Sequence, residues 1–163
     1  MKPLNVYSRS DEEIGRLLSN FAPTKFTLDG LELGSVEAFY VSLLFLDENK
    51  RAEIRPLSGL AAKRIGKGSN LIHTCYRGDW FELGSETHFG LIKRAIRAKL
   101  DAHPEIAEPF VSTRPRPILH ECGRPESKQT RFPAAVFCRI LSELREEFAE
   151  RRVRSEEQVV RSE

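Results

Sequence analysis

The sequence predicts a mainly helical α+β domain, and three observations carry that expectation. Two apolar stripes recur at helical spacing: one through Phe89, Ile92, Ile96 and Leu100, the other through Phe137, Ile140, Leu141, Leu144 and Phe148. Between Phe26-Thr27-Leu28 and Leu31-Glu32-Leu33 stands Asp29-Gly30, a pair that accepts positive φ and so marks a small N-terminal β-hairpin. A chain of 163 residues suits one domain with a full core, and no internal repeat or interdomain linker divides it.

Taken in order, Ser10-Asp11-Glu12-Glu13 has the spacing of a capping box opening a short helix through Ile14, Leu17 and Leu18. After the hairpin, the run from Ser35 to Leu46 reads as a helix with Ser35 as its N-cap. Ser58 is placed to cap a helix carrying Leu60, Ala61, Ala62 and Ile65, with Gly66 as its stop. A further helix covers Glu86 to Asp101, and Pro104 opens another short one. Pro115 and Pro117 interrupt the chain before a short strand at Ile118-Leu119-His120, and Pro133 starts the last helix. Beyond about Arg151 charge replaces periodicity. The expectation is therefore a domain over 1–150 and a frayed or disordered charged tail over 151–163.

Composition excludes some functions. Basic and acidic residues nearly balance, 26 against 24, so net charge makes no strong case for a nucleic-acid binder. No apolar stretch approaches the ~20 residues of a membrane span. The opening Met1-Lys2-Pro3-Leu4-Asn5 lacks the pattern of a secretory signal. Cys75, Cys122 and Cys138 are odd in number and widely spaced, which points to a reducing cytoplasm.

Glu37 is the residue that asks for an explanation. It is the one charge in its apolar run and shares a helical face with Tyr40, Val41 and Leu44. A first-turn carboxylate is favoured by the helix dipole, which lowers its pKa, whereas burial raises it. Ser19-Asn20-Phe21 either binds phosphate or ribose hydroxyls and stacks on a base, or closes a turn through side-chain to backbone bonds. Lys63, Arg64 and Lys67 near a helix end, and Lys93, Arg94 and Arg97, read first as solvated faces. Trp80, the single tryptophan, is a core anchor or a stacking platform. His73-Thr74-Cys75 and His120-Glu121-Cys122 match no common zinc signature, so neither a metal nor a cofactor is expected.

Ser19-Asn20-Phe21, Asp29-Gly30, Val36-Glu37-Ala38-Phe39, Ala62-Lys63-Arg64-Ile65-Gly66, Arg77-Gly78-Asp79-Trp80 and the His103-Pro104 turn follow one another as in one known family. In order and spacing the chain resembles the NADAR (NAD- and ADP-ribose-associated), or YbiA-like, family over roughly residues 17 to 121. The resemblance implies a single YbiA-like domain and an N-glycosidase that cleaves a ribosyl–nitrogen bond. The substrates it implies are ADP-ribosylated guanine, in a nucleoside or nucleic acid, or a ribosylaminopyrimidine of the riboflavin pathway. It maps the catalytic glutamate onto Glu37, and the substrate-binding groups onto Ser19, Asn20, Phe21, Lys63 and Trp80.

The chain departs from the pattern at one place. Many members carry D-x-x-W-G after the equivalent of Leu119-His120-Glu121. Here the segment Cys122 to Pro133 holds no Asp and no Trp. Glu121, directly after a predicted buried strand, is the first candidate for the missing acid through partial burial, with His120 and Glu126 as alternatives. Two other classes of function stay open: a non-catalytic module binding ADP-ribose or a related nucleotide, and a helical interaction domain using the C-terminal helix as its surface.

Overall fold

In the computed structural model, which describes residues 1–162, the predicted hairpin forms with β2 (Phe26–Leu28) antiparallel to β3 (Leu31–Leu33). Asp29 and Gly30 both take positive φ, 49° and 78°, as a tight two-residue turn demands. A strand the sequence does not announce, β1 (Leu4–Asn5), runs parallel to β6 (Ile118–Leu119), tying the N-terminus to the segment before the last helix. A second hairpin pairs β4 (His73–Tyr76) with β5 (Asp79–Glu82) around Arg77-Gly78, where both residues again have positive φ. Arg77 hides this turn, because a non-glycine residue in the left-handed region carries no strong local signal.

The helices are α1 (Glu13–Leu18), α2 (Val36–Ser42), α3 (Glu48–Ile54), α4 (Gly59–Gly66), α5 (Glu86–Ala102), α6 (Pro104–Val111) and α7 (Ala134–Ser162). α5 is central and lies against β2, α2, α6 and α7, burying Ile92, Ile96 and Leu100. α2 buries Phe39 and Val41, with Phe39 edge-on to Tyr76 of the second hairpin. Burying a side chain the size of Phe39 contributes about 1.5–3 kcal/mol.

Four local expectations are corrected. α1 starts later than the capping box implies, because the Ser10 hydroxyl donates to the Asn5 carbonyl at 2.6 Å and Glu12 becomes the N-cap. α2 ends at Ser42, and Leu43 and Leu44 pack into the core from the turn that follows. α3 goes unannounced, although the Asp47 carboxylate accepts from the N–H groups of Asn49 and Lys50 as a regular N-cap. Gly66 is the last residue of α4, as expected, but it does not take a left-handed conformation. It is there for space, since a Cβ on it would meet Val41 Cγ1 at 3.0 Å where α4 crosses α2.

The charged stretch after Arg151 continues α7 to Ser162 where the sequence suggests fraying, and Glu163 lies outside the described residues. Ion pairs one turn apart, Arg152–Glu156 at 3.0 Å and Arg154–Glu150 at 3.8 Å, offset its lack of apolar burial. Each is worth only about 0.3–0.5 kcal/mol. Arg151 adds a bond to Asp101 of α5 at 2.8 Å. Among the described residues no helix is long and apolar enough to cross a membrane, and all three cysteines are free thiols.

Candidate active site

The Ser19-Asn20-Phe21 turn is fastened to three helices by three successive carbonyls. The Ser19 carbonyl accepts from Lys99 Nζ of α5 at 3.1 Å, the Asn20 carbonyl from the Glu37 N–H of α2 at 2.9 Å, and the Phe21 carbonyl from the Gly59 N–H of α4 at 3.2 Å. Gly59 is required here, because any Cβ would fall 2.3 Å from Phe21 Cα. The Ser19 hydroxyl accepts from the Phe21 N–H at 3.2 Å, so this side chain does close the turn. Asn20 behaves differently: its Oδ1 is buried and without a hydrogen-bond partner. An unmet acceptor of this kind is uncommon enough to point to a role outside the fold.

Glu37 enters α2 one residue after Val36, with the Ser35 hydroxyl accepting from the Ala38 N–H at 3.0 Å. Its own N–H is taken by Asn20, so the helix start and the turn form one unit. The carboxyl is pushed up to about 7 by burial, against the pull of the Lys63 ammonium. Desolvation therefore outweighs the nearby cation. Lys63 itself stands over the Phe21 ring, 5.3 Å from its centroid.

One turn beyond Glu37, Tyr40 stacks on His88 with ring centres 5.6 Å apart, and His88 stacks on Phe81 at 6.1 Å. Burial raises the Tyr40 phenol, with Glu37 adding to the rise and Arg131 opposing it. His88 is fully buried and pushed down to about 4 by desolvation, with help from Arg131. Its Nδ1 accepts from the Gly84 N–H at 3.0 Å, which puts the proton on Nε2, and Nε2 has no partner.

The segment that departs from the family pattern reaches this site through its far end. Phe132 packs 6.2 Å from the Tyr40 ring, and the charge of Arg131 acts on both Tyr40 and His88. Glu121 is not brought here. It is exposed, so the partial burial expected of it is absent, and its N–H is held by Asn5 Oδ1 at 2.9 Å. Glu126 is also exposed and accepts from the Ala134 N–H at the start of α7. His120 Nδ1 donates to the Val6 carbonyl at 2.6 Å, and Nε2 faces Cys122 Sγ at 3.6 Å. Its ring is edge-on to Phe137 and reaches Tyr40 through three aromatic contacts, by way of Phe137 and Phe132. Trp80 is no core anchor: it is 66% exposed on the outer face of β5 opposite Cys75, while Thr74 and Phe81 point inward.

Tyr40, Lys99 and Arg131 are the residues that sequence reasoning misses. Tyr40 shares Glu37's face by spacing alone. Lys99 follows Ile92 and Ile96 at helical intervals, which is the signal that it is buried. Nothing in the sequence marks Arg131. Among the described residues no cluster of three or more His, Cys, Asp or Glu side chains is arranged to hold a metal ion.

A small helical α+β scaffold with a half-buried glutamate stitched to a Ser-Asn-Phe turn defines a YbiA-like domain. The NMR structure of the E. coli protein YbiA matches it with a TM-score of 0.69 over 94% of this chain and 90% of that one, at 23% identity, a likeness of fold. The family profile of bacteriophage protein GP30.3, a NADAR-type family, matches residues 13–146, and the chain belongs to that family. Proteins named N-glycosidase YbiA from Escherichia coli (strain K12) and Shigella boydii serotype 4 (strain Sb227) are each 29% identical over 117 residues, 71% of this chain and 68% of theirs.

Proposed function

We propose that this protein is an N-glycosidase that hydrolyses a ribosyl–nitrogen bond, with Glu37 as its catalytic carboxyl. The substrate class is ADP-ribosylated guanine, as nucleoside or in nucleic acid, or a ribosylaminopyrimidine intermediate of riboflavin synthesis. The observation that carries the proposal is a glutamate in the first turn of a helix, its N–H fastened at 2.9 Å to the turn that holds the unpartnered Asn20 Oδ1, with its carboxyl pushed up to about 7 by burial. That value suits proton donation and proton acceptance in one cycle near neutral pH.

Cleavage builds oxocarbenium character on the sugar and places an electron pair on the departing nitrogen. Protonated Glu37 gives its proton to that nitrogen as the N–C1′ bond breaks. The carboxylate left behind stabilises the sugar cation and takes a proton from the water that attacks C1′. Glu37 thereby fills the acid role left open by the missing aspartate, a role for which Glu121 lacks burial. Asn20 Oδ1 offers an acceptor to a ribose hydroxyl, Phe21 and Lys63 flank the bound sugar, and Trp80 offers an exposed stacking face for a base.

The test is incubation of wild type and Glu37→Gln with ADP-ribosylated guanosine, DNA carrying that adduct, and ribosylaminopyrimidines, scored by mass spectrometry. Release of free base or amine by wild type, reduced on the order of 10²–10⁴-fold in the variant, supports the proposal. Binding of ADP-ribose with no turnover of any substrate assigns the site to a binding module.

A further inference from the structure

We infer that the C-terminal part of α7 is a dimerisation surface whose partner is a second copy of this chain, crossed antiparallel to the first. The earlier part of the helix belongs to the core, burying Phe137, Ile140, Leu141, Leu144 and Ala149. Among the described residues, its last bond to another element is that of Arg151 to Asp101 at 2.8 Å. Beyond it every side-chain bond stays within the helix: Arg152 to Glu156, Arg154 to Glu150, Ser155 to the Arg151 carbonyl and Ser162 to the Gln158 carbonyl. At 1.5 Å per residue, residues 151–162 add about 18 Å of helix. Valine is a poor choice for a solvated helix, because its β-branch lowers helix propensity and an exposed apolar side chain gains nothing from burial. Yet Val153, Val159 and Val160 stand there at 53%, 62% and 74% exposure.

Spacing marks the face. Ala149, Val153, Glu156 and Val160 follow one another at intervals of four, three and four, the seam of a helix that packs on another helix. Within that seam Glu156 is neutralised by Arg152 at 3.0 Å. Its inner end lies in a shallow groove between α7 and the turn after α6, lined by Arg114, Ala149, Glu150, Val153, Arg154 and Glu157. Charge selects the occupant and its direction. The basic stretch Arg151-Arg152-Val153-Arg154 precedes the acidic pair Glu156-Glu157. A parallel second helix would set like blocks side by side. An antiparallel one, related by a two-fold axis, sets each basic block against the other's acidic pair. In that crossing Val159 and Val160 of one copy cover Ala149 and Val153 of the other, while Arg114 and Arg154 meet Glu156 and Glu157. Each contact occurs twice, as an isologous interface requires. Crossed helices of this length bury less than the ~1,200 Å² of a tight complex, so the dimer is weak and concentration-dependent.

The experiment follows the mass of the full chain by sedimentation equilibrium from about 1 µM to about 500 µM, a span that brackets a weak dimer. It compares wild type with Val160→Asp, Arg154→Glu and Glu157→Arg, and circular dichroism reports the helix content of each. Wild type should pass from monomer to dimer within that range, and added salt should weaken the dimer. Val160→Asp, which puts a charge into the seam, should associate at least about 10-fold more weakly. Arg154→Glu sets two carboxylates against each other twice per dimer, and Glu157→Arg does the same with two guanidinium groups. Each alone should therefore lose on the order of 10-fold in association. An equimolar mixture of those two variants restores both opposite-charge contacts and should regain the wild-type affinity. Unfolding of the helix in either variant could not give that rescue. Wild type that stays monomeric at the highest concentration, a dimer indifferent to Val160→Asp, or a mixture no tighter than its components would each overturn the inference.

Discussion

The N–H of Glu37 donates to the Asn20 carbonyl at 2.9 Å, so the carboxyl and the turn that carries the unpartnered Asn20 Oδ1 move as one piece. The same turn is held from α5 by Lys99 and from α4 by Gly59. Three helices therefore agree on where one carboxyl stands, which is the preorganisation a catalytic group needs.

Glu37 should cost the fold stability when ionised. Its carboxyl is raised from 4.5 to about 7, so between those values the folded state holds a proton that the unfolded chain has lost. Stability from this group is full below 4.5 and declines as pH rises to about 7. Glu37→Gln, which mimics the protonated form, should match wild type in melting temperature at pH 4. At pH 8 it should exceed wild type by roughly 1–3 kcal/mol. A variant less stable than wild type at pH 8 would mean that the carboxylate is a structural anchor.

Lys99 carries the opposite dependence. It is 2% exposed, is pushed down to about 7 from 10.5 by burial, and donates to the Leu17 and Ser19 carbonyls at 2.6 Å and 3.1 Å. Between about 7 and 10.5 the unfolded chain holds the extra proton, so stability rises with pH across that window. Lys99→Met removes the dependence and takes the Lys99 donor from the Leu17 carbonyl, at about 1–3 kcal/mol, while the Ser19 carbonyl keeps the Ala22 N–H at 3.1 Å. Urea melts should show a larger deficit for the variant at pH 9 than at pH 6. Turnover should fall with it, as the Ser19-Asn20 turn loses its tether.

Elements with a strong periodic signal were legible: α5, α7 and the Asp29-Gly30 hairpin follow from spacing and turn chemistry alone. α3 and the Arg77-Gly78 hairpin were not, because their signals are one N-cap aspartate and one left-handed arginine among ordinary residues. At the site, Glu37 is conspicuous as a charge in an apolar run. Its protonation is not, since the contest between Lys63 and burial is decided by packing. Arg131 belongs to a charged segment with no pattern, and only the docking of Phe132 on Tyr40 brings it to the site.

Two glycines separate close approach from mere helix weakness. Gly59→Ala puts a methyl 2.3 Å from Phe21 Cα, so the turn must shift, and overpacking of this kind typically costs about 1–3 kcal/mol. Gly90, within α5, has nothing within 4 Å of an added Cβ. Gly90→Ala should stabilise the protein by about 0.5–1 kcal/mol through helix propensity and leave turnover unchanged. Chemical denaturation of both variants reads the contrast, and a harmless Gly59→Ala would remove the three-helix account of the turn.

The pH dependence of turnover assigns the role of Glu37. A general acid works in its protonated form, and this carboxyl is half-protonated at about 7. The rate at limiting substrate should be high at pH 6 and fall tenfold per pH unit well above 7. A group that acted only as an ionised base or nucleophile would give the opposite limb, with the rate rising through 7. His88, pushed down to about 4, and Lys99, pushed down to about 7, are shifted near the turn, and Tyr40 is raised from its ordinary value of 10 and stays neutral here. His88 is already neutral across this range, so it contributes no limb. Lys99→Met separates the lysine: a descending limb that persists in that variant belongs to Glu37, and one that vanishes belongs to the tether. The profile should also depend on the leaving group, because an amine that must be protonated to depart needs the acid more than an acidic base does. Steeper loss of rate at high pH on the basic leaving group is the expected result. An identical profile on both would place proton donation somewhere other than Glu37.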